Sequence, residues 1–304
     1  MHYSRRNEMI QSKSQIHYQI IINIILALVS IIMILPLIIM FSSSFSSDQA
    51  LISRGYFIIP RDFSLDAYLY IWQNRATVFR AYAMTIITTA VGLTINMFLC
   101  TTLAYALSLE KLPFKKIISF YVIFTMLFNG GLVPQYIMWT TVFQLKNTFW
   151  ALIVPNMLLN VMNVIIIRSY MQTSVPTALY EAAEIDGAGK IKVFFQIALP
   201  LSKPILVAMG LFTGLGFWND WTNGLYYVNK QKLYTVQLLL NKMLQDLQAL
   251  QSNASASSSG LAMKLPQVSI RMAIAVVGVL PILILYPFLE KYFAEGITIG
   301  AVKG

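Results

Sequence analysis

EAAEIDGAGKIKVFFQIALPLSKP, residues 181–204, is a short, charged, Ala-rich and Gly-broken stretch between two apolar runs, each long enough to cross a bilayer. A polar segment in that position lies outside the hydrocarbon, so its local rules are those of a helix in water. Ser174 is placed to cap a first helix, and Pro176 is tolerated in a first turn whose amides lack intrahelical partners anyway. The spacing predicts that this helix runs to about Asp186, where Gly187 supplies a left-handed stop. Leu179, Ala182, Ala183 and Asp186 then share one face, flanked by Glu181 and Glu184. Small side chains on that face let another backbone approach closely, and the carboxylates offer partners to Arg or Lys. A second helix is predicted from about Lys190 to Leu199, ending before Pro200. The expected product is a helix–turn–helix knob, with a plain amphipathic connector as the alternative.

Outward from this stretch the chain is strongly apolar. Of its 304 residues 57% are hydrophobic and 11% charged, and the mean hydropathy is +0.66. A membrane span needs about 20 mostly apolar residues. Six runs qualify, at His17–Phe41, Tyr82–Leu107, Lys116–Met138, Phe149–Arg168, Lys203–Tyr226 and Ser269–Glu290. Each is predicted helical, because only helices and closed barrels satisfy the backbone inside a bilayer. The expected organisation is an amino-terminal tail (1–16), a six-helix domain (17–291) and a carboxyl-terminal tail (292–304). Within the six-helix domain lie the polar loop (174–204) and two loops on the opposite side (42–80 and 227–268).

Several chemistries are excluded by residue count. A single Cys100 allows no internal disulfide, and His2 and His17 are the only histidines, so no zinc cluster or His-based triad can form. No metal site is expected. The GAGK at 187–190 fails as a phosphate loop, since Ile191 follows Lys190 where Ser or Thr is required. The net charge of +10 fits loops beside anionic membrane lipid; no basic–aromatic module supports nucleic-acid binding.

Polar stripes interrupt three spans. Asn156, Asn160 and Asn163 fall at i, i+4 and i+7 in the fourth, and Thr85, Thr88, Gly92 and Asn96 are similarly placed in the second. The fifth carries Gly216, Asn219, Asp220 and Asn223 on one side, with Gly214, Trp218 and Trp221 on the other. Such faces are costly against lipid, so they turn to neighbouring helices or to a wet cavity. Trp218 and Trp221 with the neighbouring amides suit a carbohydrate path; an interfacial aromatic belt is the competing reading. In the third span Asn129-Gly130-Gly131 and Pro134 predict a break. The stretch at 251–260, QSNASASSSG, predicts a flexible lobe in the 227–268 loop.

The 181–204 segment closely resembles the EAA loop of binding-protein-dependent ABC importer permeases. Glu181, Ala182, Ala183, Asp186, Gly187, Ala188, Phe194, Ile197, Leu199, Pro200 and Pro204 stand where that motif expects them. MLFNGGLVPQY, NTFWALIVPNML, LPLSKPIL, GFWNDWTNGLYY and LPILILYPFLEKYFAEGITIGAVKG extend the resemblance to the carbohydrate-uptake permeases, in particular their polysaccharide-fragment branch.

The resemblance implies an all-α, type I importer permease with six transmembrane helices and a cytoplasmic coupling helix. Glu181, Ala182, Ala183, Glu184, Asp186, Gly187 and Pro200 would couple it to an ATPase. Trp218, Asn219, Asp220, Trp221, Asn223, Asn156, Asn160 and Asn163 are the candidate substrate path. The implied partners are a second, homologous permease expected to be a different chain, a dimeric cytoplasmic ABC ATPase, an extracytoplasmic solute-binding protein and an oligosaccharide. ATP and Mg would be used by the ATPase, with no cofactor on this chain, which is not itself an enzyme. The chain would be multi-pass in a bacterial plasma membrane with both termini cytoplasmic. Its last residues, Gly300–Gly304, would reach toward the ATPase unless they are simply a frayed end. The alternative is an ion-coupled secondary sugar transporter, which predicts inverted repeats and embedded carboxylates.

Overall fold

A computed structural model describes residues 13–155, 157–254 and 267–301. The chain divides into two compact units, residues 1–73 with 258–277, and residues 74–257 with 278–304.

In the first unit, helix α1 (Lys13–Ser44) is built from an Ile- and Leu-rich run, and its side chains stand exposed along both sides, among them Ile31, Ile32 and Met33. Such continuous apolar exposure fits a helix solvated by lipid or by other spans. Two short helices follow, α2 (Asp48–Arg54) and α3 (Asp66–Gln73). Ser47 caps α2 by accepting from the Ala50 amide, and Gly55 ends it with φ at +80°. Phe45 stacks on Tyr68 at 4.8 Å between ring centroids, and the Ser44 and Tyr68 hydroxyls bond at 2.8 Å. The Asp48 carboxylate accepts from the Val268 and Ser269 amides at 2.8 and 2.9 Å, satisfying amides at the start of the last helix. The 42–80 segment, predicted only as a loop, therefore contains two short helices.

The second unit opens with α4 (Arg75–Ser108), which includes the predicted second span and continues past it at both ends. Its buried face is Ala81, Thr85, Thr88, Gly92, Asn96, Cys100 and Ala104, the small and polar side of the helix. Helices α5 (Lys115–Leu127) and α6 (Leu132–Ile137), with a π turn at Met138–Val142, form the third run. They meet at a bend of 110°. The break falls at the predicted Asn-Gly-Gly: Gly131 has φ of +85°, and Asn129 Oδ1 accepts from the Gly131 amide and from Gln135 Nε2, each at 2.9 Å.

The fourth run departs from expectation. A short 3₁₀ turn (Phe149–Leu152) gives way to irregular chain before α7 (Val161–Ser174) begins. No continuous helix spans Phe149–Arg168, so the asparagines do not form a stripe at helical spacing; Asn156 itself lies outside the described residues. The loop helices α8 (Thr177–Ile185), α9 (Lys190–Val193) and α10 (Leu199–Leu201) follow, α9 and α10 joined by a π turn at Phe194–Ala198. Helix α11 (Lys203–Asn219) meets the preceding run at 80°. It stops at Asp220, and α12 (Thr222–Tyr227) restarts, so the predicted single fifth span to Tyr226 is two helices.

Part of the 227–268 loop is helical, against expectation. Helix α13 (Val236–Ala254) buries Val236, Leu238, Leu239 and Leu240, and its first amide donates to Thr85 Oγ1 at 2.8 Å. Its apolar start outweighs the low-complexity tail, whose residues beyond Ala254 lie outside the described residues. Helix α14 (Gln267–Ala301) contains the predicted sixth span. Among the described residues, two helices, at Tyr18–Ser44 and Arg75–Ser108, are long and apolar enough to cross a membrane unaided, and each bent pair adds one crossing if counted as a span.

Candidate functional site: the EAA segment and its anchorage

The EAA segment is held to the second unit through its own apolar side chains. Ala183, Val193, Phe194 and Ala198 are buried in one core cluster with Cys100, Ala104, Tyr105 and Leu107 of α4 and Val164, Ile167 and Met171 of α7. Tyr105 is the pivot: its hydroxyl donates to the Lys190 carbonyl at 3.1 Å, and its ring lies 5.1 Å from Phe194 and 6.4 Å from Tyr180. The loop is therefore packed directly onto α4. Tyr180 is part of this anchorage. Burial, and secondarily the neighbouring Tyr105, push its hydroxyl up to about 12.

The turn between α8 and α9 has the geometry the glycine predicts. Gly187 has φ of +74°, the Gly187 amide donates to the Glu184 carbonyl at 3.1 Å and the Ala188 amide to the Ala183 carbonyl at 2.9 Å. This pair of bonds is the Schellman closure, which satisfies the last carbonyls of α8. Lys190 Nζ donates to Glu184 across the turn, pinning the two helices at their exposed side.

Three details correct the sequence reading. Ser174 does not cap α8; it is the last residue of α7, and Pro176, whose fixed φ suits a helix entry, takes the cap position without a side-chain bond. Ala183 does not share the outward face, because α8 turns it into the core, while Leu179, Glu181, Ala182, Glu184 and Asp186 stay exposed. Pro200 lies within α10, not beyond the second helix. Its missing N–H and the clash of its ring with the residue 196 carbonyl are absorbed by the wider π turn just before it, in which the Leu199 amide reaches back to Phe194. Sequence reasoning missed Ile185 and Ile191, 87% and 76% exposed on either side of the Gly187 turn. Large apolar side chains on a polar loop were the available signal.

The candidate path residues separate into two groups. Asn163 Nδ2 donates to Thr213 Oγ1 at 2.8 Å, and Asn223 Nδ2 to the Pro155 carbonyl at 2.9 Å; both are buried. Asn160 accepts from the Met162 and Asn163 amides and so caps α7, while Asp220 accepts from the Thr222 and Asn223 amides and caps α12. Asn163 thus joins α7 to α11, whereas Asn160, Asn223 and Asp220 hold broken backbone. Asn96 belongs with them: its Nδ2 donates to the Met157 and Leu158 carbonyls at 2.7 and 3.3 Å. Irregular chain at membrane depth demands such donors. Asn219 and Trp221 are exposed, with Asn219 Oδ1 accepting from Gln237 Nε2 at 3.4 Å. Trp218 is half-buried. Gly92 lies on the same buried face as Thr85, Thr88 and Asn96; a side chain there would strike the Phe217 ring at 2.5 Å, so it is the point where α4 and α11 approach.

An all-helical, membrane-crossing body carrying a projection of short helices, α8–α10, held to its core defines a transporter subunit of the permease class. Residues 111–299, more than half of the chain, match the family described as the binding-protein-dependent transport system inner membrane component, and the chain belongs to that family. It is similar to Protein LplC of Bacillus subtilis (strain 168), 39% identical over 278 residues that cover 91% of each chain. It is also similar to the polygalacturonan/rhamnogalacturonan transport system permease protein YtcP of the same organism, 34% identical over 92% of this chain and 96% of that one. Among solved structures it resembles a chain of a bacterial ABC transporter involved in the import of the acidic polysaccharide alginate. The TM-score is 0.77 at 25% identity, over 93% of this chain and 99% of that one. The chain has the type I importer permease fold and is a multi-pass plasma-membrane subunit of an ABC importer, which works with a solute-binding protein and a separate ATPase.

Proposed function

We propose that this permease passes an oligosaccharide or polysaccharide fragment, delivered by the solute-binding protein, through an alternating-access cavity shared with a second, different permease chain. The observation that carries the coupling half is the anchorage of the EAA segment: Tyr105, Phe194 and Ala183 tie α8–α10 to α4 and α7, so that closure of the ATPase dimer moves the spans as rigid bodies. In this reading the 174–204 loop and both termini are cytoplasmic, and Ile185, Ile191, Glu181, Ala182 and Asp186 form the face that docks on the ATPase. Glu184 and Gly187 keep that face in shape through the Lys190 bond and the left-handed turn, and Pro200 sets the angle into α11. Val302–Gly304 of the tail lie outside the described residues, and α14 continues to Ala301.

The sugar class is supported by the relatives, whose names include polygalacturonan, rhamnogalacturonan and alginate systems. On this chain the exposed Trp221 and Asn219 are the residues best placed to meet a sugar, with half-buried Trp218 beside them; Asn160, Asn163, Asn223 and Asp220 support the path by fixing its wall. The test is uptake of labelled pectic and alginate oligosaccharides in vesicles containing the importer. Trp221→Ala should lower uptake roughly tenfold, equivalent to about 1.4 kcal/mol, while basal ATP hydrolysis is unchanged. Unchanged uptake in Trp221→Ala and Trp218→Ala together would remove the sugar path from this span, and uptake driven by an ion gradient without ATP would overturn the importer reading.

A further inference from the structure

A groove of about 340 Å³ lies between α4, α11 and the π turn of the EAA segment. Its walls are Leu93, Met97 and Phe98 of α4, Phe195 of the turn, and Leu206 and Val207 of α11. Phe98 and Phe195 are 57% and 53% exposed, so the groove opens outward between two apolar rings. Gly210 lies at one end, where an added Cβ would meet nothing within 4 Å, and Lys203 lies at the other, exposed and without a hydrogen bond or ion pair to any described residue. Lys203 to Gly210 is about 10 Å of helix at about 1.5 Å per residue. That fits within one leaflet's hydrocarbon, about half of a 30 Å core.

A cation at one end and apolar walls for the remainder is the complement of an anionic amphiphile. A protein helix laid in the same groove would have to bury or avoid the Lys203 ammonium. We infer that this groove binds an anionic phospholipid of the cytoplasmic leaflet, its phosphate beside Lys203 and one acyl chain running between Phe98 and Phe195 toward Gly210. The anionic inner leaflet supplies such a headgroup at the level of a juxtamembrane lysine. Because the groove is walled by the EAA segment itself, a bound lipid braces the segment against α4 and α11. The inference rests on the loop being cytoplasmic.

The test uses the whole importer purified through a tag on this chain from nanodiscs of equal phosphatidylglycerol and phosphatidylcholine, with retained lipid counted by native mass spectrometry. The wild type should retain phosphatidylglycerol at least fivefold over phosphatidylcholine. Lys203→Gln should abolish that preference, and Gly210→Phe, which fills open space, should lose both lipids while the thermal midpoint of the complex stays within a few degrees. Retention unchanged in both variants would overturn the inference. So would a Phe98→Cys cross-link to the second permease, which would show that protein covers the groove. Thiol labelling of an Ile185→Cys variant from each side of sealed vesicles separates the two readings. Labelling only from outside defeats the cytoplasmic loop, whereas labelling from inside without lipid retention defeats the lipid site alone.

Discussion

The EAA segment and the broken fourth run are about equally rich in sequence signals, yet only the EAA segment makes its turn where those signals suggest. In the EAA segment, Gly187 adopts φ of +74° and closes α8 where its position implies. In the fourth run, the spacing of the asparagines in the sequence predicts one helix, but residues 157–160 are irregular and α7 begins only at Val161. The difference is where the backbone finds its partners. On a loop in water, local rules decide, because solvent completes whatever the turn leaves open. At membrane depth an unwound segment survives only if distant side chains supply donors, and Asn96, 61 residues away from Met157, does so here.

That contrast can be broken most severely at Asn96. An Asn96→Leu variant removes the donor to the Met157 and Leu158 carbonyls, at about 1–3 kcal/mol for a buried group left unsatisfied. The complex should lose thermal stability and uptake together, and unchanged stability would mean that the irregular segment is held by something else. Next in size is Gly187→Val, which forces a β-branched residue into left-handed backbone at about 1–2 kcal/mol. Membrane insertion should be normal, while substrate-stimulated ATP hydrolysis falls; normal coupling would separate the turn from ATPase contact. A smaller loss, about 0.5–1.5 kcal/mol, is expected for Tyr105→Phe, which keeps the ring against Phe194 but frees the Lys190 carbonyl. It should reduce coupling without changing insertion.

The smallest effect concerns pH. The folded state holds the Tyr180 proton up to about 12, above the ordinary value of 10.0, so it binds more protons than the unfolded chain across that window. The stability this provides is complete below pH 10 and is lost as pH rises toward 12. Thermal midpoints taken from pH 9 to 12 should fall less steeply in Tyr180→Phe than in the wild type. Parallel curves would show that Tyr180 ionises as freely when folded as when unfolded.

Much of the architecture is legible in the sequence. The apolar runs locate α1, α4 and α14, and Asn129-Gly130-Gly131 marks the 110° bend between α5 and α6. The EAA motif identifies the knob and its stop. What stays hidden depends on contacts across long separations. Ala183 reads as a docking residue until Cys100, Ala104 and Met171 are seen around it. Asn163 and Asn223 read as sugar ligands until Thr213 and the Pro155 carbonyl take their amides. The break of the fifth run at Asp220 escapes periodicity because the residues on both sides are equally apolar and aromatic. The helix in the 227–268 loop is obscured by the Ser-rich tail beside it, although VQLLL at its start is core sequence.

The central claim is that α8–α10 form the surface by which this permease takes up the motion of its ATPase. It is tested most directly by placing a single cysteine at Ile185 in a Cys100→Ser background and cross-linking the reconstituted importer with and without ATP. The account predicts a cross-link from Ile185→Cys to the ATPase subunit whose yield changes with nucleotide, and none from a control cysteine at Ile167 in the core of α7. Absence of any cross-link from Ile185→Cys in an importer that still transports would contradict it.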